Sequence, residues 1–131
     1  MLIYSPPVAW EVNGTDEFAD WFGELAESEQ DEVIVAVEFL AEHGPGLDRP
    51  LADRVKGSIY HNMKELRPRG VAKNFRILFL FDPRREAILL VEGDKSGQWD
   101  RWYAKAIPIA ERLYEEYLSE LAAENLIEDT D

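Results

Sequence analysis

The spacing of apolar residues changes from helical to alternating near the middle of the chain. Phe18, Trp21, Phe22 and Leu25 recur at helical intervals, and so do Val33, Val37, Leu40 and Ala41. Thr15 stands before the first group as an N-cap. Asp16 and Glu17 follow in the first turn, where the helix dipole favours carboxylates. Ser28 stands before the second group in the same way, three residues ahead of Asp31, close to a capping box. Gly44-Pro45-Gly46 ends that helix, because glycine takes the C-cap conformation and proline cannot continue the ladder. Two helices joined by so short a loop predict a helical hairpin. Ahead of it, residues 8–12 read as a short strand closed by the turn dipeptide Asn13-Gly14.

Residues 44–57 read as a loop of mixed charge, and beyond it the period falls to two. Residues 58–67 predict a strand whose imperfect alternation suggests a bulge. Pro68-Arg69-Gly70 makes a turn, and residues 71–81 form the clearest strand. Phe75, Ile77, Phe79 and Phe81 share one of its faces; Arg76, Leu78 and Leu80 share the other. Asp82-Pro83-Arg84-Arg85 turns the chain back into residues 86–92, apolar on both faces and so central in a sheet, with Gly93 ending the strand. Residues 98–106, rich in Trp and Tyr, read as a loop or irregular helical turn. Pro108 then opens a last helix with the stripe Ala110, Leu113, Tyr114, Tyr117, Leu118 and Leu121. The predicted order is βααβββα. That is an α+β fold: a small antiparallel sheet with an N-terminal helical hairpin and a C-terminal helix, covered on one face and partly open on the other. Residues 1–131 make one domain, with an acidic tail from about residue 122 that frays.

Composition narrows the class. Of 131 residues, 46% are hydrophobic, enough for a core, and none is Cys, which removes disulfides, thiolate metal sites and thiol nucleophiles. No apolar run approaches membrane-spanning length and no signal-type leader opens the chain, so a soluble cytoplasmic protein is expected. The net charge of −13 argues against a polyanion partner until it is mapped. Residues 1–42 carry 11 acids and residues 113–131 carry seven, with no Lys or Arg in either segment. All 14 basic residues lie in 43–112 beside nine acids, a local balance of +5 between flanks that total −18. A phosphate feels charge within about 8–10 Å at physiological salt, so a basic centre is compatible with a polyanion site. Acidic, merely solvated helix faces would give the same pattern.

His43 and His61 are the only histidines, and neither stands in a metal-binding pattern, so neither metal nor cofactor is expected. His61 is the one histidine placed to donate a proton or touch a substrate, since His43 ends a helix; a structural role is the alternative. The informative residues are cationic. Lys64 and Arg67 end the second predicted strand, with Glu65 as a possible partner for Arg67. Arg76 stands mid-strand among aliphatics, where a cation carries a desolvation cost unless a partner or an open groove solvates it. Lys95 follows the last strand, and in a meander these positions approach one another across one face. Trp99, Trp102 and Tyr103 stand near these cations, either as stacking surfaces for unpaired bases or as core plugs.

Trp10-Glu11-Val12, Phe18 to Leu25, Gly44-Pro45, Arg49-Pro50, Lys64-Glu65-Leu66-Arg67, Phe75-Arg76-Ile77-Leu78 and Gly93-Asp94-Lys95 fall in one order. In that order the chain resembles the HigB-like, phage-associated branch of the RelE/ParE toxin superfamily over roughly residues 8–121. The resemblance implies a toxin of a type II toxin–antitoxin pair, an endoribonuclease that cleaves mRNA without metal, usually on the ribosome. It also implies a helix-turn-helix antitoxin as partner. The family's functional cations map onto Lys64, Arg67, Arg76 and Lys95, with Trp102 or Tyr103 as the nearby aromatic. In that mechanism Arg76 clamps the phosphate, Lys64 or Lys95 serves as base, and Arg67 stabilises charge or anchors the backbone. The chain departs from many relatives in being acidic. A gyrase-poisoning toxin of the same fold, or a degenerate binding module, are the competing classes. If the acidic tail, Glu120 to Asp131, folded back over the cations, it would compete with RNA.

Overall fold

In the computed structural model, which describes residues 2–4, 10–94, 97 and 99–128, the helical hairpin forms where the apolar spacing puts it. Helix α1 (Asp16–Glu24) starts at Thr15, whose hydroxyl accepts a 3.1 Å hydrogen bond from the Phe18 amide. Helix α2 (Glu27–His43) starts earlier than Ser28 predicts. Its N-cap is Ala26, which has no side-chain acceptor; the Glu29 carboxylate accepts from the Ala26 amide at 3.0 Å instead. Gly44 ends α2 at a φ of +59°, and the Trp10 indole fills the space where a Cβ would stand.

The sheet has six strands: β1 (Leu2–Tyr4), β2 (Val12–Gly14), β3 (Ala52–Arg54), β4 (Lys64–Leu66), β5 (Phe75–Phe81) and β6 (Ala87–Asp94). Their order across the sheet is β1-β2-β6-β5-β4-β3. The expected antiparallel sheet is therefore mixed: β2 runs parallel to β6, with Val12 opposite Ala87. The chain crosses one face in the helical hairpin, enters at the far edge as β3, and meanders back until β6 lies beside β2. The strand expected at 58–67 shrinks to Lys64–Leu66, and that expected at 71–81 begins at Phe75 after a short 3-10 turn. The strand expected over 8–12 is described from Val12 and runs on through Asn13-Gly14; residues 8 and 9 lie outside the described residues. Gly93 does not end β6, which continues to Asp94.

The alternation of β5 sorts the core into two layers. Phe75, Ile77 and Phe79 pack with Phe18, Val33, Val37 and Leu40 beneath the helical hairpin. Leu78 and Leu80 pack with Ile88, Leu90, Ala110 and Leu113 on the opposite face. Leu78 pairs with Val91 and Phe79 with Leu89, so Leu90 is an extra residue in β6. This bulge lets Leu90 and Val91 both join the second layer.

That second face is not open. Helix α3 (Trp99–Ala123) covers it as one continuous helix of 25 residues, beginning well before Pro108. Pro108 and Ala104 are both exposed, so water can serve the carbonyl that loses its amide donor. At 1.5 Å per residue the helix is about 37 Å long. Its C-terminal end at Ala123 is therefore remote from Trp99. Among the described residues no helix is long and apolar enough to cross a membrane.

Candidate functional site

Strand register decides which of the predicted cations meet. Lys64 pairs with Phe79 and Glu65 with Leu78, so Lys64 points to the hairpin face and Glu65 to the α3 face. The Lys64 ammonium donates to the carbonyls of Leu47 at 2.6 Å and Pro45 at 3.2 Å, tying the loop after α2 to the sheet. It does not share a face with Arg76, contrary to the expected convergence. Arg76 stands opposite Gly93, on the α3 face near the start of that helix. Arg67, two residues beyond Glu65, projects to the same side.

Both guanidinium groups gather on Glu65, which is 2% exposed. The Arg67 Nε donates to Glu65 Oε2 at 2.6 Å, and the Arg76 Nε lies 3.5 Å from the same oxygen. The Tyr103 hydroxyl donates to Glu65 Oε1. A buried carboxylate left alone would cost several kcal/mol, so this triple pairing is what allows Glu65 its place in the sheet. Burial, and then the bond to Glu65, push the Tyr103 phenol above its ordinary pKa. Tyr103 therefore stays a protonated donor. Arg67 also reaches Asp53 Oδ2 at 3.3 Å, and Arg49 bonds the same oxygen at 2.9 Å. The hydrogen bond from Arg49 holds the Asp53 carboxyl below the usual carboxylate range. Arg76 is further fixed by donating to the carbonyls of Lys73 and Phe75 at 3.0 and 2.8 Å, and its guanidinium carbon lies 5.5 Å from the Trp99 ring centroid.

These side chains border two clefts that share Arg67. The first, of about 370 Å³, is lined by Arg49, Arg67, Arg69, Lys73 and Arg76, with Pro50, Pro68 and Gly70 between them. The second, of about 310 Å³, is lined by Arg54, Val55, Lys56, Glu65, Asp100 and Tyr103 beside Arg67. A third cleft of about 340 Å³ lies between the start of α1 and the later turns of α3. Its charged lining is Asp16, Glu17, Glu116 and Glu120, which would repel a phosphate. Five cations around one concavity, three of them (Arg49, Arg67 and Arg76) paired with carboxylates, suit a phosphodiester.

Of the sequence-predicted residues, Arg67, Arg76 and Tyr103 come together. Lys64 lies on the far face, and Lys95 lies outside the described residues. The Trp102 indole lies over Gly93, where an added Cβ would stand 2.2 Å from it, and packs against Tyr103 and Trp99. That is the core-plug alternative for Trp102 rather than a free stacking surface. His61 is exposed in the turn between β3 and β4 and lines neither cleft. Sequence reasoning missed Glu65 as the hub, together with Arg49, Arg69 and Lys73. The signals were present: Glu65 and Arg67 share a strand face at i, i+2, and Arg49-Pro50 and Arg67-Pro68-Arg69 set cations beside prolines in irregular backbone.

The family model for phage derived protein Gp49-like (DUF891) matches residues 20–115, which include β3 to β6 and both residues of the Glu65–Arg76 pair. A Mycobacterium tuberculosis (strain ATCC 25618 / H37Rv) protein named "Putative toxin HigB3" is 50% identical over 99 residues, 76% of this chain and 85% of that protein. A second protein of the same strain, "Putative toxin HigB2", is 40% identical over 114 residues, 86% of this chain and 56% of that protein. With its α+β architecture, its cationic strand-end cluster and a match over most of its length, the chain belongs to the phage-derived Gp49-like family as a HigB-like member.

Proposed function

We propose that the protein is the toxin of a type II toxin–antitoxin pair and acts as an endoribonuclease on mRNA, engaged on the ribosome in the cytoplasm and restrained by a helix-turn-helix antitoxin. The observation that carries this reading is the pair of guanidinium groups, Arg67 and Arg76, held on buried Glu65 at the edge of a cleft lined by five cations. RNA brings its own nucleophile, the 2′-hydroxyl. Its attack on the adjacent phosphorus needs that oxygen deprotonated and the added negative charge stabilised; the P–O5′ bond breaks, the departing 5′-oxygen takes up a proton, and the products end in a 2′,3′-cyclic phosphate and a 5′-hydroxyl. Arg76 and Arg67 supply the charge stabilisation. Glu65 and Tyr103 act as positioning residues, fixing the guanidinium planes before substrate arrives. Tyr103 is a donor and not the base, since its phenol titrates above its ordinary range. Lys64 is spent on carbonyls on the other face, which leaves the amines of Lys73, in the cleft, and Lys95 for proton transfer.

The test is primer-extension mapping of transcripts in a translating extract with wild type and Arg76→Ala. Removing one preorganised donor is worth about 2.7–4 kcal/mol, so cutting should fall about 100- to 1000-fold. Equal cut patterns for the two proteins would overturn the assignment. Intact transcripts with inhibited supercoiling would move it to the gyrase-poisoning class.

A further inference from the structure

The second cleft has a chemistry different from the first. Where the phosphate cleft is lined by cations alone among its charged residues, this one brings in a carboxylate, Asp100, from the first turn of α3. Asp100 is exposed, whereas the other carboxylate in the lining, Glu65, is buried, accepts from Arg67 and Tyr103 and pairs with Arg76. Val55 and Tyr103 give the cleft an apolar wall, and Lys56 adds an exposed cation. Its volume of about 310 Å³ exceeds that of a single nucleobase and is too small for a folded partner's surface. Because Arg67 lines both clefts, a strand whose phosphate rests on Arg67 and Arg76 delivers a neighbouring base to the second.

We propose that this second cleft, between the Tyr103–Asp100 end of α3 and the Val55–Lys56 loop, is a base subsite selective for guanine next to the bound phosphate. The inference rests on the ribonuclease reading above and deepens it. Guanine alone among the four bases offers adjacent N1–H and N2–H donors that a carboxylate accepts as a pair, and presents O6 and N7 acceptors that suit a cation. Adenine would turn its N6 amino group toward Lys56, and uracil offers the carboxylate one donor only. Val55 and Tyr103 supply an apolar surface for one side of the base plane.

The experiment uses the full chain in a translating extract. Synthetic transcripts carry guanine, adenine or inosine at the nucleotide beside the cut, and primer extension gives the relative cleavage efficiency. Wild type should favour guanine over adenine by about five- to 150-fold, the discrimination of one bidentate base contact, with inosine between them because it lacks the N2 amino group. In Asp100→Asn the guanine-to-adenine ratio should collapse toward one. A wild-type enzyme that cuts all three transcripts alike, or a ratio that Asp100→Asn leaves unchanged, overturns the guanine subsite while leaving the ribonuclease standing. The inosine arm needs no variant protein, so misfolding cannot mask the result. If wild type cuts no transcript, both readings fall together.

Discussion

Replacing Glu65 by glutamine keeps the shape of the hub and removes its charge. The amide keeps one acceptor and turns its NH₂ group either toward Tyr103, at the Oε1 position, or toward Arg67 and Arg76, at the Oε2 position. Breaking a buried ion pair by removing one partner costs about 3–5 kcal/mol in general. Here the Arg67 side chain is 32% exposed and that of Arg76 16%, so water takes back part of the loss. An expected cost of about 2–3 kcal/mol follows. In a chain of this length it lowers Tm by about 8–12 °C. Far-UV circular dichroism during thermal unfolding measures it. Because the cost comes from two stranded cations, adding Arg67→Met to Glu65→Gln should destabilise by less than the sum of the two single changes. A Glu65→Gln protein melting within about 2 °C of wild type would refute the reasoning, for the carboxylate would then not be organising the arginines.

Thr15→Ala removes a cap that accepts from the Phe18 amide and donates to the Leu90 carbonyl at 3.0 Å, so denaturant unfolding should show a loss of about 1–2 kcal/mol. Gly93→Ala should displace the Trp102 indole, lowering Tm and shifting tryptophan emission, whereas Gly23→Ala in α1 meets no neighbour and should stabilise by about 0.5–1 kcal/mol. Burial, with Glu17 nearby, raises the Glu92 carboxyl above its ordinary pKa, and its Oε2 is buried without a partner. A raised carboxyl binds its proton more tightly when folded, so it costs stability above its folded pKa and costs nothing below the unfolded one. Glu92→Gln should therefore raise Tm at neutral pH, with the gain vanishing in acid. Asp53 has the opposite sign: its lowered pKa contributes stability above the unfolded value that is lost as pH falls, so Asp53→Asn should flatten the acid limb of a Tm-against-pH curve.

The elements legible from pattern were those with enough repeats to show a period. α1, α2 and the Phe75–Phe81 alternation read directly, because each runs for seven or more residues, long enough to repeat its period. β3 and β4 are three-residue strands, too short to alternate, and their pairing is set by the sheet they join. In α3, Pro108 reads as the opening residue of a helix because proline favours the first turn, yet it falls on an exposed turn in the helix interior where the missing donor matters least. The site was half legible. Arg76 announced itself as a cation among aliphatics, but the same strand logic placed Lys64 beside it. Only the register, with Lys64 opposite Phe79 and Glu65 opposite Leu78, shows that one residue of shift puts the carboxylate on the cationic face and the lysine behind it.

Sorting by sheet face is also what cleavage data can examine most directly. In one translating extract, Arg76→Ala and Arg67→Ala should each reduce transcript cutting by about two to three orders of magnitude. Lys64→Ala, whose ammonium bonds carbonyls on the opposite face, should cut within a few-fold of wild type. Loss of cutting in Lys64→Ala as deep as in Arg76→Ala, with the protein still folded, would contradict a phosphate site built by Arg67, Arg76 and Glu65.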